Sequence, residues 1–162
     1  MTSMPEGEGG RSEAGGLDES LRRSERGFAR EGAGEPSRAR VLVVDDEPRL
    51  LETVRFILKD DHDVKTLTSA REALDRLLAG EHYDLVLCDL TMPGMTGVEL
   101  LQRLSAERPD LTRRVVFMTG GAVTAAAAAL LEDRATRCLE KPFRPGELLA
   151  FVRGEVATDF SG

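Results

Sequence analysis

At 162 residues with 41% apolar content, the chain has material for one domain of ordinary size plus a tail. A net charge of −7, with 29 acidic residues against 22 dispersed Lys and Arg, argues against the clustered basic face of a general nucleic-acid binder. No stretch approaches the roughly 18 consecutive apolar residues of a membrane span, and the start, MTSMPEGEGG, lacks the basic and apolar regions of a secretory signal; a cytoplasmic protein without membrane or nucleic-acid partners is expected.

Residues 1–39 are rich in Gly, Glu, Arg and Ser, with Leu17, Leu21 and Phe28 almost their only large apolar side chains. Such a segment cannot offset its ordering entropy by burial, so it reads as a disordered tail or linker with at most a transient helix over Leu17 to Arg30. From Arg40 onward, short apolar runs alternate with helical patterns, as βα units around a parallel sheet do. Val41 to Val44 is the first strand, and Pro48 suits the first turn of a helix burying Leu50, Leu51, Val54, Ile57 and Leu58. Asp63 to Leu67 is a weaker strand. Ser69 with Glu72, a capping-box pair, opens a helix carrying Ala73, Leu74, Leu77 and Leu78. Leu85 to Cys88 is a third strand ending on Asp89.

After the loop Thr91-Met92-Pro93-Gly94-Met95, Thr96 with Glu99 makes a second capping-box pair before a helix that buries Val98, Leu101 and Leu104. Val115 to Met118 is the fourth strand. Thr124 is the N-cap of a helix through Ala125 to Ala129, Leu130 and Leu131, whose lack of amphipathic contrast leaves its inward face unassigned. Arg137 to Leu139 is a short fifth strand, and Pro145 leads into a fifth helix through Leu148, Leu149 and Val152. Cys88 and Cys138 lack the short spacing of a zinc site or redox pair and read as buried free thiols.

In an open parallel α/β sheet, ligands bind beyond the carboxyl ends of the strands. Those ends carry Asp45-Asp46, Asp89, Thr119 and Glu140-Lys141-Pro142. Singly, each reads as a helix cap or solvated residue; together they gather three carboxylates, a hydroxyl and an ammonium around one crevice. Crowded carboxylates repel unless a cation or proton intervenes, and oxygen-only ligands favour Mg²⁺ or a similar hard ion over zinc. An aspartate attacks phosphorus to give an acyl phosphate when the incoming charge is neutralised, here by Mg²⁺ on one side and Lys141 on the other, with Thr119 donating to a phosphoryl oxygen. Asp89 is the expected nucleophile, because it follows the central strand and precedes an irregular loop.

These residues resemble the receiver domains of bacterial two-component response regulators, through VLVVDDEP, LVLCDLTMPGMTGVEL, VVFMTG and the LEKPF run ending at Phe143, in the family's order and at similar intervals. The resemblance covers nearly all of the chain beyond the tail. It implies a receiver domain over residues 40–157 with a short tail over 158–162, and a flavodoxin-like, doubly wound α/β fold with five parallel strands in the order 2-1-3-4-5 and five helices. It further implies that Asp46 and Asp89 bind Mg²⁺ directly, that Asp45 helps through water, that the Thr91 carbonyl completes the protein ligands, and that the Lys141-Pro142 peptide is cis. A sensor or hybrid histidine kinase is the implied phosphodonor, and the fourth helix, fifth strand and fifth helix form the implied face for a downstream protein or a dimer partner.

Family members usually carry Tyr or Phe where this chain has Cys138, so coupling to that face is less secure than phosphorylation. Thr91 and Gly121 stand where the family tunes phosphoryl lifetime. With few residues after the fifth helix, a stand-alone receiver acting through protein partners, or a phosphoryl carrier or sink, is expected, while FMTGG and CLEKPF also resemble receivers of hybrid kinases. Two competing readings are a haloacid-dehalogenase phosphatase, disfavoured because Thr91 stands where a second Asp is needed, and a phosphorylation-independent interaction module.

Overall fold

The computed structural model describes residues 38–159. The apolar runs become strands β1 (Arg40–Val44), β2 (Asp63–Leu67), β3 (Leu85–Asp89), β4 (Val115–Thr119) and β5 (Cys138–Glu140). They pair in the order β2-β1-β3-β4-β5, and every ladder is parallel. Between them run α1 (Pro48–Leu58), α2 (Ala70–Leu78), α3 (Gly97–Glu107) and α4 (Ala125–Glu132), and α5 (Pro145–Asp159) follows β5. This is the expected doubly wound, flavodoxin-like architecture.

Alternation along each strand divides the core into two layers, as side chains of period two must. Val41, Val43, Leu85, Leu87, Val116 and Met118 face α1 and α5, meeting Leu51, Val54, Leu148 and Val152. Leu42, Val44, Val86, Cys88, Val115 and Phe117 face α2, α3 and α4. Helix starts follow local chemistry. The Thr96–Glu99 box is complete, with Glu99 N donating to Thr96 Oγ1 at 3.2 Å and Thr96 N to Glu99 Oε2 at 2.8 Å. The Ser69 box is half made: Ser69 Oγ accepts from Glu72 N at 3.3 Å, but the Glu72 carboxylate takes Arg76 Nη2 at 2.8 Å instead.

Several details differ from sequence expectation. A 3-10 helix, Pro109–Arg114, precedes β4; its one buried residue, Leu111, offers no periodicity to read. β5 begins one residue later than expected, at Cys138. On α3, Leu100 is fully buried and Leu101 only half-buried, because Leu101 lines a cavity of about 460 Å³ shared with Phe117, Leu130 and Arg137. Leu50, Ile57 and Leu149 are likewise half-buried at the rim of the core. On α4 only Ala127 is fully buried, which assigns the face that the uniform alanine run concealed. Ala39 is 5% exposed and its carbonyl accepts from Asp63 N at 2.9 Å, so the packed unit begins at least one residue before Arg40. The remainder of the expected tail, with its transient helix, and residues 160–162 lie outside the described residues. No described helix is long and apolar enough to cross a membrane.

His62, between α1 and β2, is buried with neither ring nitrogen hydrogen-bonded. Burial lowers its pKa below 6.5, opposed by Asp61 and reinforced by Arg153 and Arg38. The unfolded chain then binds this proton first, so stability falls as pH drops from about 6.5 toward the folded value. His62→Leu is expected to flatten that acid slope, as measured by urea unfolding at pH 7 and pH 5.5; an unchanged slope would show that the proton is taken up elsewhere.

Candidate functional site

β1 and β3 lie side by side with Val44 opposite Cys88, so the residues after them emerge together where strand order reverses. Asp45 is fixed twice: its N–H donates to the Leu67 carbonyl at 3.1 Å, and its Oδ1 accepts from Glu47 N at 2.9 Å. Asp89 closes β3 opposite Met118, and Leu90 N donates to the Met118 carbonyl at 3.0 Å. The chain then turns so that Thr91 N donates to Asp89 Oδ1 at 3.3 Å. Thr119 ends β4 half-buried, and its carbonyl accepts from Lys141 N at 2.6 Å, which carries Lys141 across the edge of the sheet. The Lys141-Pro142 peptide is cis.

Lys141 Nζ donates to Asp45 Oδ2 at 2.5 Å and stands 3.5 Å from Asp89 Oδ2. Carboxylate oxygens of Asp45, Asp46 and Asp89 all lie within 4.8 Å of one another. Asp45 is 1% and Asp89 6% exposed, while Asp46 faces solvent. The fold therefore unites Asp45, Asp46, Asp89 and Lys141 by their side chains, and Thr91 and Thr119 by backbone hydrogen bonds.

Burial pushes the Asp89 carboxyl above its ordinary value; the Lys141 ammonium counters this, Asp45 adds to it, and the Thr91 N–H again lowers it. For Lys141, burial acts to lower the pKa but is outweighed by bonding to Asp45 and the charges of both aspartates, and the net direction is upward. Three oxygen donors of like charge, two of them buried and served by a single ammonium, suit a hard divalent ion. The three carboxylates thus fit such a cation, and the cluster they form includes no thiolate or imidazole.

The family model for the response regulator receiver domain matches residues 41–153. This chain belongs to that family. Among curated proteins, the receiver domain's chain is 36% identical over 138 residues to the transcriptional regulatory protein TcrA of Mycobacterium tuberculosis, covering 84% of this chain and 53% of TcrA. It is 35% identical over 120 residues to the DNA-binding response regulator MtrA of Mycolicibacterium smegmatis, covering 74% of this chain and 51% of MtrA. The chain thus spans about half the length of these relatives. Among solved structures it is similar to a CheY-like receiver domain protein from Methanospirillum hungatei, with a TM-score of 0.66 and 28% identity over 77% of this chain and 98% of that one.

Two glycines of the receiver's site, each inside a run that carries the family resemblance, had no role assigned from sequence. A Cβ on Gly97 would lie 2.5 Å from the Asp89 carbonyl oxygen, and one on Gly120 would lie 2.9 Å from Lys141 Cβ. Their roles show only once the Asp89 peptide has folded against Gly97 and the Lys141 side chain against Gly120. Cys138 lies opposite Phe117 and packs half-buried against the core under α2, α3 and α4. Both cysteines are free thiols, but only Cys88 is fully buried.

Proposed function

We propose that this receiver domain accepts a phosphoryl group on Asp89 from a histidine kinase and signals by a change of conformation. The observation that carries this reading is the ammonium of Lys141 set between two buried carboxylates, with a third beside them. Asp89 Oδ attacks phosphorus, the bond from phosphorus to the donor's leaving group breaks, and that group departs with the electron pair. Mg²⁺, when held by Asp46, Asp89 and the Thr91 carbonyl with Asp45 assisting through water, supplies positive charge against the phosphoryl oxygens. Lys141 exchanges part of its contact with Asp45 for a phosphoryl oxygen, and Thr119 donates its hydroxyl to another. The domain promotes only its own phosphorylation and dephosphorylation. Two free thiols fit a reducing compartment, which here is the cytoplasm. The reading is tested by incubating the protein with acetyl phosphate and Mg²⁺, then trapping and mapping the acyl phosphate. Label on Asp89 that depends on Mg²⁺ is expected; label elsewhere, or formed equally without the metal, overturns it.

The receiving face for a downstream protein or a second copy is α4, β5 and α5. Thr119→Ala should still accept phosphate while losing a hydrogen bond to an ionised group, on the order of 1.5 to 3 kcal/mol, that exists only in the phosphorylated state. Coupling of about 1 to 3 kcal/mol corresponds to roughly 5- to 150-fold in affinity, so one such bond carries most of a switch. Amide exchange in α4, β5 and α5, with and without the phosphoryl mimic beryllofluoride, should change in wild type and not in Thr119→Ala. The half-buried Cys138 favours a second reading, a phosphoryl carrier or sink; absence of any response in wild type selects it.

A further inference from the structure

The β3–α3 junction holds a contact that neither the capping box nor the core requires. Gly97 is the first residue of α3, its N–H donates to the Leu90 carbonyl at 3.1 Å, and a Cβ there would meet the Asp89 carbonyl oxygen at 2.5 Å, Leu90 Cα at 3.1 Å and Asp89 C at 3.2 Å. All three atoms are backbone, so no side-chain rotation relieves them. Gly97 does not have the positive φ of Gly94 or Gly121, so its backbone conformation is open to other residues. What glycine provides is close approach: the first turn of α3 is butted against the peptide that carries the phosphoacceptor. Thr96 and Glu99 lock that turn in place, and Val98 and Leu100 anchor it in the core.

We propose that Gly97 is a positioning residue for phosphoryl acceptance, holding Asp89 and the Thr91 turn at the distance from Asp45, Asp46 and Lys141 that the site requires. This rests on the phosphoacceptor reading above. To regain ordinary van der Waals contact of 3.4 Å, an alanine at this position must push the Asp89 peptide and α3 apart by about 0.9 Å. A displacement of about 1 Å at a reacting group costs about 100-fold in rate.

The test uses the full chain with Mn²⁺ as a paramagnetic stand-in for Mg²⁺, read by broadening of backbone amide signals, together with acetyl phosphate labelling. Gly97→Ala is expected to shift the Leu90 and Thr91 amide signals, weaken Mn²⁺ binding, and slow labelling by about 100-fold. Leu104→Ala, which loosens the same helix in the core well beyond its first turn, should leave Mn²⁺ affinity and labelling near wild type. Thr96→Ala frees the turn without any clash, and should weaken both in the same direction if Gly97→Ala proves too unstable to study. Wild-type Mn²⁺ affinity in Gly97→Ala, or in Thr96→Ala where that variant must serve, overturns the proposal, as does an equal loss in Leu104→Ala. Failure of wild-type protein to label at Asp89 would instead overturn the phosphoacceptor reading, leaving the metal-binding comparison intact.

Discussion

Asp89→Asn is expected to accept no phosphoryl group and to be more stable than wild type at neutral pH. The amide lacks the nucleophilic oxygen charge, so acyl phosphate cannot form at this position. The stability gain follows from burial: Asp89 is 6% exposed and shares one ammonium with Asp45, and its carboxyl titrates above the ordinary 3.8. A raised carboxyl pKa means that the folded state holds the proton more tightly than the unfolded chain does. The cost of ionised Asp89 is therefore absent below about pH 3.8, grows as pH rises through the folded value, and is fully present above it. The variant's advantage should be widest near pH 7 and vanish in acid, each 1 kcal/mol appearing as about 4 °C in Tm. Unfolding curves of both proteins at several pH values without metal check this; a gap independent of pH would show that repulsion at Asp89 is not its source.

Lys141→Met should have the opposite effect on stability. Asp45 is 1% exposed and its closest cation is Lys141 Nζ at 2.5 Å, so the variant strands a buried carboxylate. Breaking a fully buried pair costs about 3–5 kcal/mol; with the lysine side chain 21% exposed, we expect about 2–3 kcal/mol. Metal at about 100 times its dissociation constant returns about 2.7 kcal/mol. Lys141→Met should thus be clearly destabilised without Mg²⁺ and regain most of the loss in its presence, while acetyl phosphate labels it slowly. The wild-type lysine titrates above 10.5, so its contribution is whole below pH 10.5 and is lost as pH rises through the folded value, a loss the variant cannot show. Equal stability of the two proteins in chelator would show that the observed pair contributes nothing.

The order of the elements and the acidic strand ends were legible because both are carried by local pattern: apolar runs of strand length, caps such as Thr96, and polar residues directly after each run. Strand order came from the family resemblance rather than from periodicity. What escaped sequence reading depends on distant segments meeting. Leu100 is fully buried while Leu101, still packed against the core, borders an open cavity, and nothing near residue 101 encodes that cavity. Gly97 and Gly120 stand in family-like runs, but their close approach to the Asp89 carbonyl and the Lys141 stem shows only in the fold. Lys141 was expected as a phosphoryl contact, yet in the structure its shorter bond is to Asp45. α4 was hard to orient because five consecutive alanines carry no directional information.

The bond between Lys141 and Asp45 joins positions 96 apart in sequence. Closing so long a loop forfeits chain entropy that only the completed ladders β1-β3, β3-β4 and β4-β5 can offset. During synthesis, a nascent chain that has emerged as far as β4 already displays Asp45, Asp46 and Asp89, but it has no ammonium to set among them. Until Lys141 emerges, repulsion among the three carboxylates is relieved by protons or a bound cation alone, so the lysine that arrives last adds counter-charge to what was made first.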